Sequence, residues 1–212
     1  SKLNEYRDLS SGGAGVFDIQ GRGSRYFFDG FGENIGRDDM YLDFRGGGYG
    51  QFKYRLYSDW LRHNYGFGPD GGRTPYVNPG QNNLTFFAPT PAARANSNVP
   101  PWTSFDFRTF RKDTGGNFEF SGGSPWYVRL DANEVRQTGI NKADSAALGT
   151  SAGNGFIDLP YPDDWVTRSV VAEAGYQAPR GHFSVNWTQS KFQNENVLLN
   201  FQNSFFGNGF DT

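Results

Sequence analysis

The chain has 212 residues, 20 basic and 22 acidic, and a net charge of −2, which leaves no electrostatic footprint for nucleic acid. It has no Cys, which excludes disulfides, thiolate metal sites and the thioether bonds that attach c-type haem. It holds 21 Phe, 11 Tyr, 5 Trp and 29 Gly, yet no uninterrupted apolar run exceeds three residues and mean hydropathy is negative. A membrane-crossing helix needs about 20 apolar residues in a row. Aromatic, Gly-rich and hydrophilic on average is the composition of a transmembrane barrel, whose strands show lipid only every second side chain. A soluble all-β domain with one wet face shares it.

Along the chain, period-two alternation dominates. In 40–45, Met40, Leu42 and Phe44 oppose Tyr41, Asp43 and Arg45. In 51–59, Phe52, Tyr54 and Leu56 oppose Lys53, Arg55 and Tyr57. In 126–133, Trp126, Val128, Leu130 and Ala132 oppose Tyr127, Arg129, Asp131 and Asn133. In 182–188, Phe183, Val185 and Trp187 oppose His182, Ser184, Asn186 and Thr188. These are half-buried strands. The polar faces carry full charges, suiting either bulk water or a barrel lumen.

Tight Gly/Pro turns are expected at Gly46–Gly50, Ser121–Pro125 and Ala178–Gly181. Between them lie two long connections, Gly66–Thr103 and Gly139–Asp164, the second with room for a helical turn at Asn141–Leu148. Short and long connections alternate, the asymmetry of an outer-membrane barrel with short periplasmic turns and long outer loops. Thr114–Gly139 and Val166–Phe192 repeat one hairpin plan. Trp60, Tyr65, Trp102, Trp126, Trp165 and Trp187 fall mostly near expected strand ends, where interfacial girdles form.

No catalytic pattern stands out. There is no HExxH, no Ser/His/Asp spacing, and no Lys-Ser/Thr after Gly46–Gly50 to make a phosphate loop. No enzyme is expected. His63 and His182 read as structural or lumen-facing groups. The acidic pairs Asp38-Asp39 and Asp163-Asp164 are weak calcium candidates, and turn capping by Asp is the favoured account of them. Gly66–Gly72 has one copy of a Gly/Asp calcium-like pattern, which a repeat would need several times over.

Several segments, in order, resemble the MtrB/PioB family of decahaem-associated outer-membrane proteins. They are Lys2-Leu3-Asn4-Glu5-Tyr6-Arg7-Asp8, Gly32-Glu33-Asn34-Ile35-Gly36-Arg37-Asp38-Asp39, and Gly48-Tyr49-Gly50-Gln51-Phe52-Lys53-Tyr54. Thr74-Pro75-Tyr76, Asn83-Leu84-Thr85-Phe86, Ser190–Glu195 and Leu199–Phe205 continue the series. The chain lacks the CxxC pair of some members, and family barrels are much larger. The resemblance therefore implies one segment, residues 1–212, forming about ten strands of the N-terminal part of a larger transmembrane antiparallel up-and-down β-barrel.

It further implies an outer-membrane sheath around a multihaem c-type cytochrome for extracellular electron transfer. The haem c would belong to the partner, with none in this chain. An extracellular cytochrome at the outer loops and outer-membrane lipid are the other partners it implies. The lumen-facing candidates are Lys53, Arg55, Asp59, Arg129, Asp131 and Asn133. A general diffusion porin and a soluble β-sandwich binding module remain the alternatives.

Overall fold

The computed structural model describes residues 12–66, 72–87, 102–147, 156–202 and 210–211. Lys2–Asp8, most of Gly66–Gly72 and Asn203–Phe205 lie outside them. The described residues are all strand, turn and irregular chain. One antiparallel meander forms the wall: β1 (Gly15–Arg22), β2 (Tyr26–Ile35), β3 (Tyr41–Gly48), β4 (Phe52–Asn64), β8 (Arg108–Phe120), β9 (Trp126–Ala147), β10 (Phe156–Ala178) and β11 (Gly181–Asn194), in that spatial order. Five short strands lie outside the wall: β5 (Gly72–Thr74), β6 (Asn83–Leu84), β7 (Thr103–Phe105), β12 (Asn200–Gln202) and β13 (Phe210–Asp211). The wall thus has eight strands where about ten were expected, and it is an open sheet edged by β1 and β11.

Every connection at one end of the wall is short, at 23–25, 49–51, 121–125 and 179–180. Gly50, Gly122 and Gly123 take positive φ there, which side-chain-bearing residues resist. The other end carries 36–40, the long 65–107 connection and the β9–β10 tip.

Residues 139–147 and 156–164 are strand, not loop. β9 and β10 are 22 and 23 residues long, roughly twice the 9–11 a tilted membrane span needs. Residues 141–147 are strand, so the helical turn expected at Asn141–Leu148 is overturned over that stretch. Cross-strand pairing continues down the ladder and overrides the Ala/Ser/Gly composition. Pro160 and Pro162 fit because β11 ends at the Trp165–Asn194 rung. Beyond it their missing N–H groups face no neighbouring strand. Their carbonyls, on that same edge, accept from the Gly80 N–H and the Asn196 side-chain amide.

The long connection after β4 is also partly structured. Tyr76, Leu84 and Leu159 form the buried core, with Phe86, Trp102, Leu199 and Phe201 packed against it. The Tyr76 and Phe86 rings stack at 4.6 Å. The Tyr76 hydroxyl donates to the Gln202 carbonyl, and the Gln202 side chain accepts from the Phe86 N–H. This cap ties the β4–β8 connection to the chain after β11.

Candidate functional site

The two faces of the wall differ in chemistry and exposure. On one face, cross-strand rungs read Tyr26–Gly48–Phe52–Phe120–Val128–Ala174–Val185 and Phe28–Gly46–Tyr54–Phe118–Leu130–Ala172–Trp187. The rung Ile19–Gly30–Phe44–Leu56–Gly116–Ala132–Val170 follows. This apolar face is open: Leu56 and Val128 are each 57% exposed, and Leu130 47%. A contiguous open apolar face marks a membrane or partner surface.

One rung higher the sequence is Phe17–Gly32–Leu42–Ser58–Thr114–Glu134–Arg168–Lys191. It starts aromatic and ends charged. Strands tilted as in a barrel carry each rung obliquely through a horizontal apolar band, which gives this crossover. At the short-turn end Trp126, Tyr176 and Phe183 line up beneath the band, with Trp126 edge-on to Tyr176 at 5.0 Å. Trp60 stands at the upper boundary. The girdle expectation holds for these two tryptophans only. Trp102 packs in the cap, Trp187 sits mid-strand, and Trp165 alternates onto the polar face against Phe192.

The opposite face holds a lattice of charged side chains. Its hub is Asp43, 3% exposed on β3. Arg45 and Arg55 lie directly opposite one another across β3 and β4, an arrangement that repels. Asp43 bridges them: Nη2 of each arginine donates to its carboxylate at 2.8 Å, and the Tyr41 hydroxyl at 2.9 Å. The Arg55 guanidinium also stacks 5.1 Å from the Tyr57 ring centroid. The Tyr57 hydroxyl passes the network to Asp113 at 3.2 Å, where Asn133 donates at 3.4 Å. On the next strands Arg129 pairs with Asp131 at 3.0 Å and Glu173 at 3.4 Å. Tyr127 donates to Glu173 and lies 3.2 Å from the His182 ring.

Glycines make this lattice possible. A Cβ added at Gly115 would lie 2.9 Å from the Tyr57 hydroxyl, and one at Gly175 would lie 2.6 Å from the Tyr127 ring. Each tyrosine lies flat across a glycine of the adjacent strand, which fills the gap and aims its hydroxyl at an acid. On the apolar face Tyr54 likewise lies over Gly46.

All six lumen-facing candidates lie on the charged face, but in two groups. Arg55, Arg129, Asp131 and Asn133 are engaged with the wall's own side chains. The Asp59 side chain has no hydrogen bond or ion pair among the described residues, and Lys53 reaches Glu119 only at 3.8 Å with its side chain 67% exposed. Tyr41, Asp43 and Arg45 were placed on this face by alternation. Their role as its hub depends on β3–β4 register, which sequence does not display.

The four calcium candidates each have a side-chain partner. Arg62 pairs with Asp38 at 3.0 Å, and Arg37 with Asp39 at 3.3 Å. The Gln137 amide donates to Asp163, and Arg136 pairs with Asp164 at 3.1 Å. Among the described residues no three His, Cys, Asp or Glu side chains group as metal ligands. His63 lies 4.1 Å from the Tyr65 ring.

An antiparallel wall, apolar and open on one side and charged on the other, is the wall of a transmembrane β-barrel. Over residues 1–212 the chain matches the family model described as "Putative outer membrane beta-barrel porin, MtrB/PioB". The chain belongs to that family of bacterial outer-membrane porins. No curated protein matches it.

Proposed function

We propose that this porin wall is a sheath that holds a multihaem c-type cytochrome across the outer membrane and insulates it from lipid. The observation that supports this reading is the division of labour on the charged face. Most charges there neutralise one another and stiffen the wall, while Lys53 and Asp59 present opposite charges toward the lumen. A fixed protein surface can pair with such charges one by one, and buried charges are tolerable only when paired.

The chain has no Cys and so no thioether anchor; the haem would belong wholly to the partner. The wall would keep hydrocarbon away from the haem edges and hold the partner in register by hydrogen bonds and ion pairs. The cap over the long-loop end would face an extracellular cytochrome or cover the exit.

The test is purification of the protein from native outer membranes. A haem-bearing protein should co-isolate stoichiometrically, and the pair should show little conductance in planar bilayers. Haem-free isolation combined with a steady open-channel conductance would instead establish a general diffusion porin.

A further inference from the structure

The apolar face has one built feature that the lumen reading leaves unexplained. A groove of about 450 Å³ opens at mid-wall, lined by Tyr54, Leu56, Gly116, Phe118, Leu130 and Ala132. Its floor is Gly116, where a Cβ would lie 2.7 Å from the Leu56 side chain. Directly above it on the same face are the Ser58 and Thr114 hydroxyls, 3.0 Å apart. One rung higher, Lys112 and Arg136 stand directly opposite each other.

Two cations facing across a rung repel unless an anion joins them. Arg136 has Asp164 on its far side. Lys112 has no carboxylate partner among the described residues. Its ammonium instead lies 4.0 Å over the Trp60 ring, a contact suited to headgroup depth. Lys191, on the Ser58–Thr114 rung, adds another outward cation, its side chain also without a partner among the described residues. Lys112 is four residues from Gly116, about 13 Å along the strand. This strip lies toward the long-loop end, the outer leaflet of a barrel with short periplasmic turns.

We propose that the strip from Lys112 and Arg136 down to the Gly116 groove binds a phosphorylated acyl lipid of the outer leaflet, of the lipid A type. A phosphate sits between the two cations, the sugar or ester backbone passes the Ser58–Thr114 hydroxyls, and one acyl chain fills the groove. The charge row selects the phosphate, and the glycine floor selects a chain over a bulky side chain.

The experiment is native mass spectrometry of the folded protein released from nanodiscs doped with bisphosphoryl lipid A, its dephosphorylated form, or phosphatidylglycerol. The wild type should retain bisphosphoryl lipid A through activation energies that strip the other two. Juxtamembrane cations contribute about 1 kcal/mol each, so the Lys112→Gln/Arg136→Gln double variant should retain at least about tenfold less. Ala132→Leu, which narrows the groove without touching the cations, should also lower retention. A heat-modifiable gel shift certifies that each variant is folded. Retention unchanged in the charge variant, or equal retention of dephosphorylated lipid A or phosphatidylglycerol by the wild type, overturns the proposal.

Discussion

Replacing Asp43 by Asn removes one charge, keeps the side chain's volume and leaves Arg45 and Arg55 facing each other without a bridge. Hydrogen bonds to charged groups contribute about 1.5–3 kcal/mol each. The arginine side chains are 58% and 39% exposed, so water recovers much of that, leaving about 1 kcal/mol per arginine. Repulsion between the opposed guanidinium groups adds up to about 1 kcal/mol. The expected loss is about 2–3 kcal/mol, measured by reversible urea unfolding of protein folded into phospholipid vesicles and followed by Trp fluorescence. Asp59→Asn makes the same chemical change one strand away at an exposed carboxylate without a partner, and should stay within about 0.5 kcal/mol. If the two variants cost the same, Asp43 is not the hub of the wall and the lattice argument fails.

Other outcomes follow from the two faces. Leu130→Arg should cost about 2–4 kcal/mol in the same assay, because it places a charge in the middle of the apolar band, whereas Asn117→Arg on the charged face should fold nearly normally. A wall bathed in water on both sides would tolerate both. Gly46→Ala should destabilise by about 1–3 kcal/mol, since the new methyl meets the Tyr54 ring, and the Gly46→Ala/Tyr54→Ala pair should recover part of the loss in a double-mutant cycle. Tyr76→Ala should open the cap to protease within 72–87, while the gel shift of the barrel persists.

The architecture was legible because alternation has a local signature. Each of the four strands read by period two put its residues on the faces the structure shows, and two of the three expected short turns fell on their Gly/Pro clusters, whereas Gly46–Gly48 end β3 and the turn there is shifted to 49–51 because those glycines stay paired with β4. Residues 139–147 and 156–164 were misread because Ala, Ser, Gly and Pro there mimic a loop. What makes them strands is pairing between distant partners such as Ile140 and Pro162.

The site was half legible. Alternation picks the face, but the links within it join residues such as Tyr57 and Asp113, 56 positions apart. Register decides which charges neutralise each other and which, like Asp59, remain available. The glycines under Tyr57 and Tyr127 carry no signal of this role until the neighbouring strand is known.

The chain has no Cys, so single cysteines carrying nitroxide labels test the sheath reading directly. Labels at Lys53 and Asp59 should be mobile and water-accessible in the isolated barrel, and should become immobilised and shielded when a multihaem cytochrome is bound. A label at Val128 should report lipid throughout. Labels at Lys53 and Asp59 that stay mobile and wet with the cytochrome present would contradict the account.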